Sequence, residues 1–529
     1  MTDTLPAAPA APSRLRNRPW MTLVVVSLGV IMVGIDASVV AVANPYIGRD
    51  LHASLADLQW VTNAYLLVIA VTLIFGGKLG DTFGRRRLFL IGVFGFSAAS
   101  LAIGLVGTID GVIVLRGVQG AFGALLLPNT LALLRTAYPP EDLNRAVGIW
   151  VSASATATAA GPIVGGLFVE HISWQSVFYI NVPVGVLTVA LGLLVLSESR
   201  ESVRHRFDVP GVVTLALGLL AIVYGLVKAQ SWGWGSSRTV GLILAGLVLL
   251  MVFGIIEHTT RDPMVPLGIF RDRSVSLSTV IVLFNFFALF GVLFFVGLYL
   301  QSVHGYTPVA AGIRILPLTV TFALSSNVGA RLTDRFGPWL PITVGLTATS
   351  AALFSLTTLR VDSSYVHIWP PFVLIGLGIG LVLTAATDAI VGNTPVDDAG
   401  VAGGIQGTAI QLGGVLGTAV CGSILGVKVA SVLVADLTAA GVPAVAAHRL
   451  THATAVVSQG LAPVPPHVSA RVAAAITEGS HQAFMQGLHL TMLVAGAVAL
   501  VGAALGPLVR RGVVHDGADP GTAPGTPDP

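Results

Sequence analysis

Very little of this 529-residue chain is charged: Asp, Glu, Lys and Arg make up 10% of it, against 54% hydrophobic residues. A soluble domain carries about a quarter charged residues, so this composition excludes that class and reads as a polytopic membrane protein. There is one cysteine, Cys421, inside an apolar run, which leaves neither a disulfide framework nor a thiolate metal site. Lysine is nearly missing as well, at Lys78, Lys228 and Lys428 only. Arginine-rich usage with abundant Ala, Gly and Val points to a GC-rich bacterial genome. No Walker-type phosphate loop is present, which argues against direct ATP-driven pumping. No nucleophile constellation suggests an enzyme. His448, His452, His467 and His481 are scattered with spacings that fit no helical or hairpin ligand set, so no metal is expected. The net charge of +3 says little, since the placement of charge carries the information, and no nucleic-acid partner is expected.

What the chain has is long apolar runs. A membrane span needs roughly twenty mostly apolar residues. By that rule fourteen helices are predicted, at about 21–43, 58–77, 88–106, 110–133, 145–169, 176–196, 211–229, 239–257, 277–301, 309–331, 340–358, 368–391, 402–424 and 487–508. An even number puts both termini on one side. Of the Lys and Arg residues outside the spans, nineteen fall on the side of the termini and seven on the other, among them Arg49, Lys228, Arg238, Lys428, Arg449 and Arg471. This positive-inside bias predicts cytoplasmic termini. The run after Arg14, Arg16 and Arg18 is long enough to span and lacks an obvious cleavage site, so it reads as a retained helix rather than a signal peptide.

Gly76–Leu90, GGKLGDTFGRRRLFL, forms the tight loop between the second and third helices, with Asp81 before the cationic cluster Arg85, Arg86 and Arg87. A weaker copy, GARLTDRFGP, runs from Gly329 to Pro338: Gly329, Leu332, Asp334, Phe336 and Gly337 fall on Gly76, Leu79, Asp81, Phe83 and Gly84 at one constant offset. Such a repeat implies two related halves, helices 1–6 and 9–14, with helices 7 and 8 inserted between them. The expected organisation is a cytoplasmic segment 1–19, a first half 20–199, a linker and inserted pair 200–272, and a second half 273–509 carrying a long, partly helical external loop of about 425–486. A Pro/Gly/Asp-rich tail, 510–529, is expected to be disordered.

The first of these loops resembles the helix 2–3 motif of the major facilitator superfamily, G-x-L-a-D-r-x-G-R-[RK], and the 12+2 arrangement resembles its fourteen-helix drug:proton antiporter-2 branch. Three further stretches carry the same resemblance. GIDASVVAVANP in the first helix places Asp36 on the branch's acidic position. RGVQGAFGA in the fourth places Arg116 on its helix-4 arginine, with Gln119 following. GPIVGG in the fifth, with Gly161, Pro162, Gly165 and Gly166, is similar to the antiporter motif associated with exporters, with Ala157 in place of an upstream glycine. SWQSVFYINVPVG (Ser173–Gly185) and GGIQGTAIQLGG in the thirteenth helix are similar to two more branch motifs, with Gln175, Ser176, Gly407 and Ile410 as departures. The resemblance implies a two-half all-α fold that works by alternating access. It also implies that Asp36 and Arg116 take part in proton coupling, and that Gly77, Gly80, Asp81, Gly84, Arg85, Arg86, Arg87 and Asp334 gate the cytoplasmic side.

Ionisable residues inside hydrocarbon are costly and are functional suspects on physical grounds alone. At 1.5 Å per residue Asp36 lies about 22 Å from one membrane face, and Arg116, on an antiparallel helix, about 9 Å from the other. In a core about 30 Å thick the two sit at similar depth and can share a polar cavity. A coupling carboxylate and a static ion pair are both consistent with this. Arg314 near a helix end is expected to snorkel to the interface, and Asp388 is an auxiliary candidate for proton or cation binding. The expected cavity is apolar with a few polar groups, drawn from Asn63, Tyr65, Gln119, Trp150, Asn285, Phe286, Phe290, Gln406 and Gln411.

The functional expectation is proton-coupled efflux of drugs or antibiotics across the bacterial cytoplasmic membrane, by a monomer needing no cofactor beyond the proton gradient. Its partners would be the bilayer, protons and a small amphiphilic substrate. Export of an endogenous lipid, siderophore or self-made metabolite keeps the fold and changes the cargo. A non-transporting membrane sensor is the third reading.

Overall fold

The computed structural model describes residues 18–199, 208–260, 263–394, 399–466 and 468–510. The expected N-terminal segment up to residue 17, parts of both charged linkers (200–207 and 261–262), His467 and the tail from 511 lie outside them.

Among the described residues, fourteen helices are long and apolar enough to cross a bilayer, each on one of the expected apolar runs. They are α1 (Pro19–Asp50), α2 (Leu55–Phe83), α3 (Arg85–Leu105), α4 (Ile109–Ala137), α5 (Pro140–His171), α6 (Ser176–Val195), α7 (Val209–Trp232), α8 (Ser237–Thr259), α9 (Arg273–Leu298), α10 (Pro308–Phe336), α11 (Trp339–Leu356), α12 (Trp369–Gly392), α13 (Ala399–Ala439) and α14 (Ala470–Leu505). Local chemistry sets their ends. Ser54 and Asp57 form a reciprocal capping box at the start of α2. The α2–α3 and α10–α11 junctions each turn on one glycine of positive φ, Gly84 at 110° and Gly337 at 82°, so the sequence repeat is also a backbone repeat.

The two sets of six helices pack helix for helix alike. In the first, α1 packs on α5, α2 on α4, and α3 on α4 and α6; in the second, α9 packs on α13, α10 on α12, and α11 on α12 and α14. The seams between the sets are equivalent too: α2 meets α13, and α5 meets α10. The intervening pair α7 and α8 pack on each other, and α7 reaches both α2 and α13.

The expected external segment of about 425–486 is more helical than its partly helical reading implied. α13 continues to Ala439 and α14 begins at Ala470, and between them the described residues 440–466 are themselves partly helical. Apolar content ends the predicted span near Lys428, but the backbone hydrogen-bond ladder does not stop where hydropathy does. The two extensions hold each other: a Cβ at Gly479 would lie 2.7 Å from Leu437 Cα, an approach that only glycine allows.

Candidate functional site

Four helices of the first half converge on one buried polar cluster. α1 supplies Asp36, α3 Ser100, α4 Arg116 and Gln119, and α6 Asn181, all at most 2% exposed. Arg116 Nη1 donates to Asp36 Oδ2 at 2.6 Å and to Gln119 Oε1 at 2.5 Å, and Arg116 Nε donates to the Val61 carbonyl at 3.0 Å. Gln119 Nε2 donates to Asp36 Oδ1 at 2.8 Å, and Asn181 Nδ2 reaches the same oxygen at 3.2 Å. Because guanidinium only donates and carboxylate only accepts, Gln119 has a single amide orientation that serves both. Ser100 completes the network by donating to the Phe96 carbonyl and accepting from both Gln119 and Asn181. The Tyr65 ring covers the guanidinium, 4.1 Å from Arg116 Cζ, and Phe178 flanks it at 5.8 Å.

Depth arithmetic placed Asp36 and Arg116 level; the structure brings them into contact. Stability does not account for such a pair, because well-packed apolar groups of the same volume serve as well or better in a low-dielectric interior. Asn181 and Ser100 had no assigned role in the sequence. Asn181 carried a signal, being a polar residue in an apolar motif, whereas Ser100 carried none.

Beside the pair lies a cavity of about 30 Å³, lined by Ser38 and Ala41 of α1, Thr62 and Tyr65 of α2, Arg116, and Phe290, Phe294 and Thr418 of the second half. That is room for a water molecule or two, not for cargo. The Tyr65 hydroxyl is buried without a hydrogen-bond partner. Of the nominated cavity residues, Tyr65 and Phe290 line this space. Asn63 accepts a short hydrogen bond from Thr418 across the α2–α13 seam. Gln119 belongs to the ionic network, and Asn285 donates to the Ile379 carbonyl between α9 and α12. Phe286 stacks loosely on Phe290, their ring centroids 6.3 Å apart. Trp150 packs on the first-half core, Gln406 donates to Thr387 through a short bond, and Gln411 is half-buried on α13. Asp388 is exposed near the end of α12, away from the Asp36 cluster, and Arg314 stacks on Tyr306 at 3.8 Å.

The fifth-helix motif sits at a three-helix crossing. A Cβ at Gly161 would meet Ser38 Oγ at 1.8 Å, and one at Gly165 would meet Val39 Cγ2 at 2.5 Å, so α1 and α5 pack backbone to backbone. Gly166 abuts Pro308, and Gly312 lies against the Pro162 carbonyl, 2.3 Å from its would-be Cβ. Glu170 then accepts from the Val309 N–H at 3.0 Å, a carboxylate on the N-terminal turn of α10. These α5–α10 approaches all lie at the end remote from the Gly84 loop, and at the other end Gly148 has open space around it. The seam is therefore closed at one end. Connector residue Gln459 adds to that closure: its Nε2 donates to the Ala53 carbonyl of the first half, while neighbouring Gly460 lies against Ser302 of the second.

In the Gly84 loop, Asp81 pairs with Arg85 of the next turn at 2.6 Å, and Arg86 donates to the Leu193 carbonyl. Glu198, which sequence reasoning passed over, accepts from the Arg86 N–H, and Ser199 accepts from that of Arg85, capping α3 from the end of α6. Gly80 faces Asn129, Gly77 faces Pro128, and Gly84 faces Glu198. Arg87 and Asp334 are exposed. Lys78 leaves this half and donates to the Pro263 carbonyl at 2.6 Å.

Two six-helix sets joined by two equivalent seams, with a buried ion pair beside the seam, form the architecture of a secondary transporter. Comparison with known proteins carries this one step further. The family model described as Major Facilitator Superfamily matches residues 26–418. A tetracenomycin C resistance and export protein of Streptomyces glaucescens is 45% identical over 94% of this chain and 93% of its own. A puromycin resistance protein of Streptomyces alboniger is 35% identical over 80% of this chain and 85% of its own. Among solved structures, a bacterial homologue of the human lysosomal transporter Spinster superposes with a TM-score of 0.61 at 17% identity, covering 94% of this chain and 98% of that one. The chain belongs to the Major Facilitator Superfamily.

Proposed function

We propose that this chain exports amphiphilic small molecules, antibiotics or other drugs among them, across the bacterial cytoplasmic membrane in exchange for protons. Both termini would be cytoplasmic, so the closed end of the α5–α10 seam would be the outer gate. The observation that carries the coupling step is the Asp36–Arg116 contact. A carboxylate with no solvent exposure, held by one guanidinium and two amides, is a site where a proton or a cationic cargo competes for one charge. The unpartnered Tyr65 hydroxyl and the Phe290 ring would meet cargo when the cavity widens. The family and the named relatives support the export reading. A self-made metabolite is the second cargo class, favoured by a relative described as an export protein for a named compound. The working unit would be a monomer, with the proton gradient and no bound cofactor as its energy source.

The test uses inverted membrane vesicles holding the full chain, an imposed proton gradient, and a panel of a cationic dye, puromycin and an anthracyclinone. Gradient-dependent accumulation of at least one compound, abolished by a protonophore, is the expected result. Accumulation insensitive to the protonophore would refute proton coupling.

A further inference from the structure

The inserted pair α7–α8 takes no part in the ion-pair centre, yet α7 seats itself on both α2 and α13, one helix from each half. At the end of this groove remote from the Gly84 loop the chain concentrates aromatic rings and cations. Trp60 of α2, Tyr224 and Trp232 of α7 form a row, each neighbouring pair of ring centroids 5.9 Å apart. Lys228 Nζ lies 5.9 Å over the Tyr224 ring, and Arg238 Cζ, in the first turn of α8, 6.0 Å over that of Trp232. On the α13 side Gly426 packs directly against Gln230 of α7. Two cations thus gather at one groove.

Their charge is not neutralised within the protein. Among the described residues neither Lys228 nor Arg238 forms an ion pair. Asp57, one turn before Trp60, is occupied by the Ser54 N–H and hydroxyl at 2.9 and 2.7 Å. Cations held against aromatic faces at a membrane boundary keep their outer hemisphere for an anion. Toward the membrane interior the groove is flanked by the exposed apolar face of α8, including Val240, Leu244, Leu247 and Val248. A ligand that is anionic at one end and apolar along its length satisfies both surfaces.

We propose that this groove binds an anionic glycerophospholipid, its phosphate between Lys228 and Arg238 and its acyl chains along α8. Calling the leaflet the outer one rests on the topology proposed above; the binding does not. The apolar flank favours a lipid over a free phosphate ion. Because α7 touches both halves, a lipid seated here also braces the α2–α13 seam.

The experiment is a native mass spectrometry titration of the purified full chain in detergent, with dioleoylphosphatidylglycerol or dioleoylphosphatidylcholine. The anionic lipid is expected to bind at least tenfold more tightly. Lys228→Gln with Arg238→Gln should weaken it by about fivefold per cation removed and leave the zwitterionic lipid unchanged. The control variant Arg449→Gln/Arg471→Gln, which removes two cations on the same side but outside the groove, should leave the preference intact. Equal affinity for the two lipids, an equal loss in the control variant, or displacement of the lipid by equimolar inorganic phosphate would each overturn the proposal. A paired variant that elutes unlike wild type on size exclusion is replaced by Arg238→Gln alone, for which a loss of about fivefold is expected.

Discussion

Arg116→Gln leaves the Asp36 carboxylate buried with two amide donors and no counter-charge. Breaking a buried pair from one side costs about 3–5 kcal/mol, most of it the uncompensated charge. Asp36→Asn should cost less, because Arg116 keeps the Val61 carbonyl, Gln119 Oε1 and the face of Tyr65. In the double variant both charges are gone and the amides can still bond one another. It should therefore be more stable than Arg116→Gln alone, with a coupling energy of about 2–3 kcal/mol. Unfolding equilibria of all four proteins in bicelles, read by steric trapping, close the cycle. Single-variant costs that add to within about 0.5 kcal/mol would refute the reasoning, because groups in direct contact should not behave as independent sites.

Gly312→Val places a methyl-bearing Cβ against the Pro162 carbonyl and should push the α5–α10 seam apart at its closed end. Spin labels at Ile172→Cys and Ser363→Cys in a Cys421→Ser background should then report a longer distance than in the same labelled protein retaining Gly312; an unchanged distance counts against the seam as a gate. Gln459→Ala removes the bond to the Ala53 carbonyl, and hydrogen exchange of the 440–466 connector should rise while that of α12 stays constant. His304 gives a pH signature. Burial, reinforced by Arg314 and opposed by Asp362, holds its imidazole below the ordinary range. The folded chain then binds fewer protons here than the unfolded one, so this contribution is complete above about pH 6.5 and is lost as pH falls toward the lowered value. His304→Gln should flatten the pH 5–7 stability slope of the wild type, and an identical slope in the variant would contradict the assignment.

Much of this architecture is legible in residues. Apolar runs located all fourteen helices because bilayer thickness fixes how many residues must be greasy. The helix ends were not legible in the same way: α13 runs on past Lys428 and Asp436, whose polarity ends a membrane span without ending a helix. Asp36 and Arg116 could be placed at one depth because rise per residue is constant along antiparallel helices. Ser100 and Asn181 could not, since they reach Asp36 through the packing of α3 and α6, and no spacing along the chain encodes that approach. The same holds for Glu198 at Gly84 and for Glu170 on the first turn of α10. Cavity lining was the least legible. In α9, apolar on nearly every face around Asn285, no periodicity distinguishes the face of Phe290 from that of Asn285.

Coupling of proton and cargo movement at Asp36 is tested by Asp36→Asn in reconstituted vesicles. Two rates are compared at equal protein: accumulation driven by a proton gradient, and cargo exchange with no gradient imposed. The variant should lose gradient-driven accumulation and retain exchange. Accumulation at the wild-type rate in Asp36→Asn would contradict that coupling.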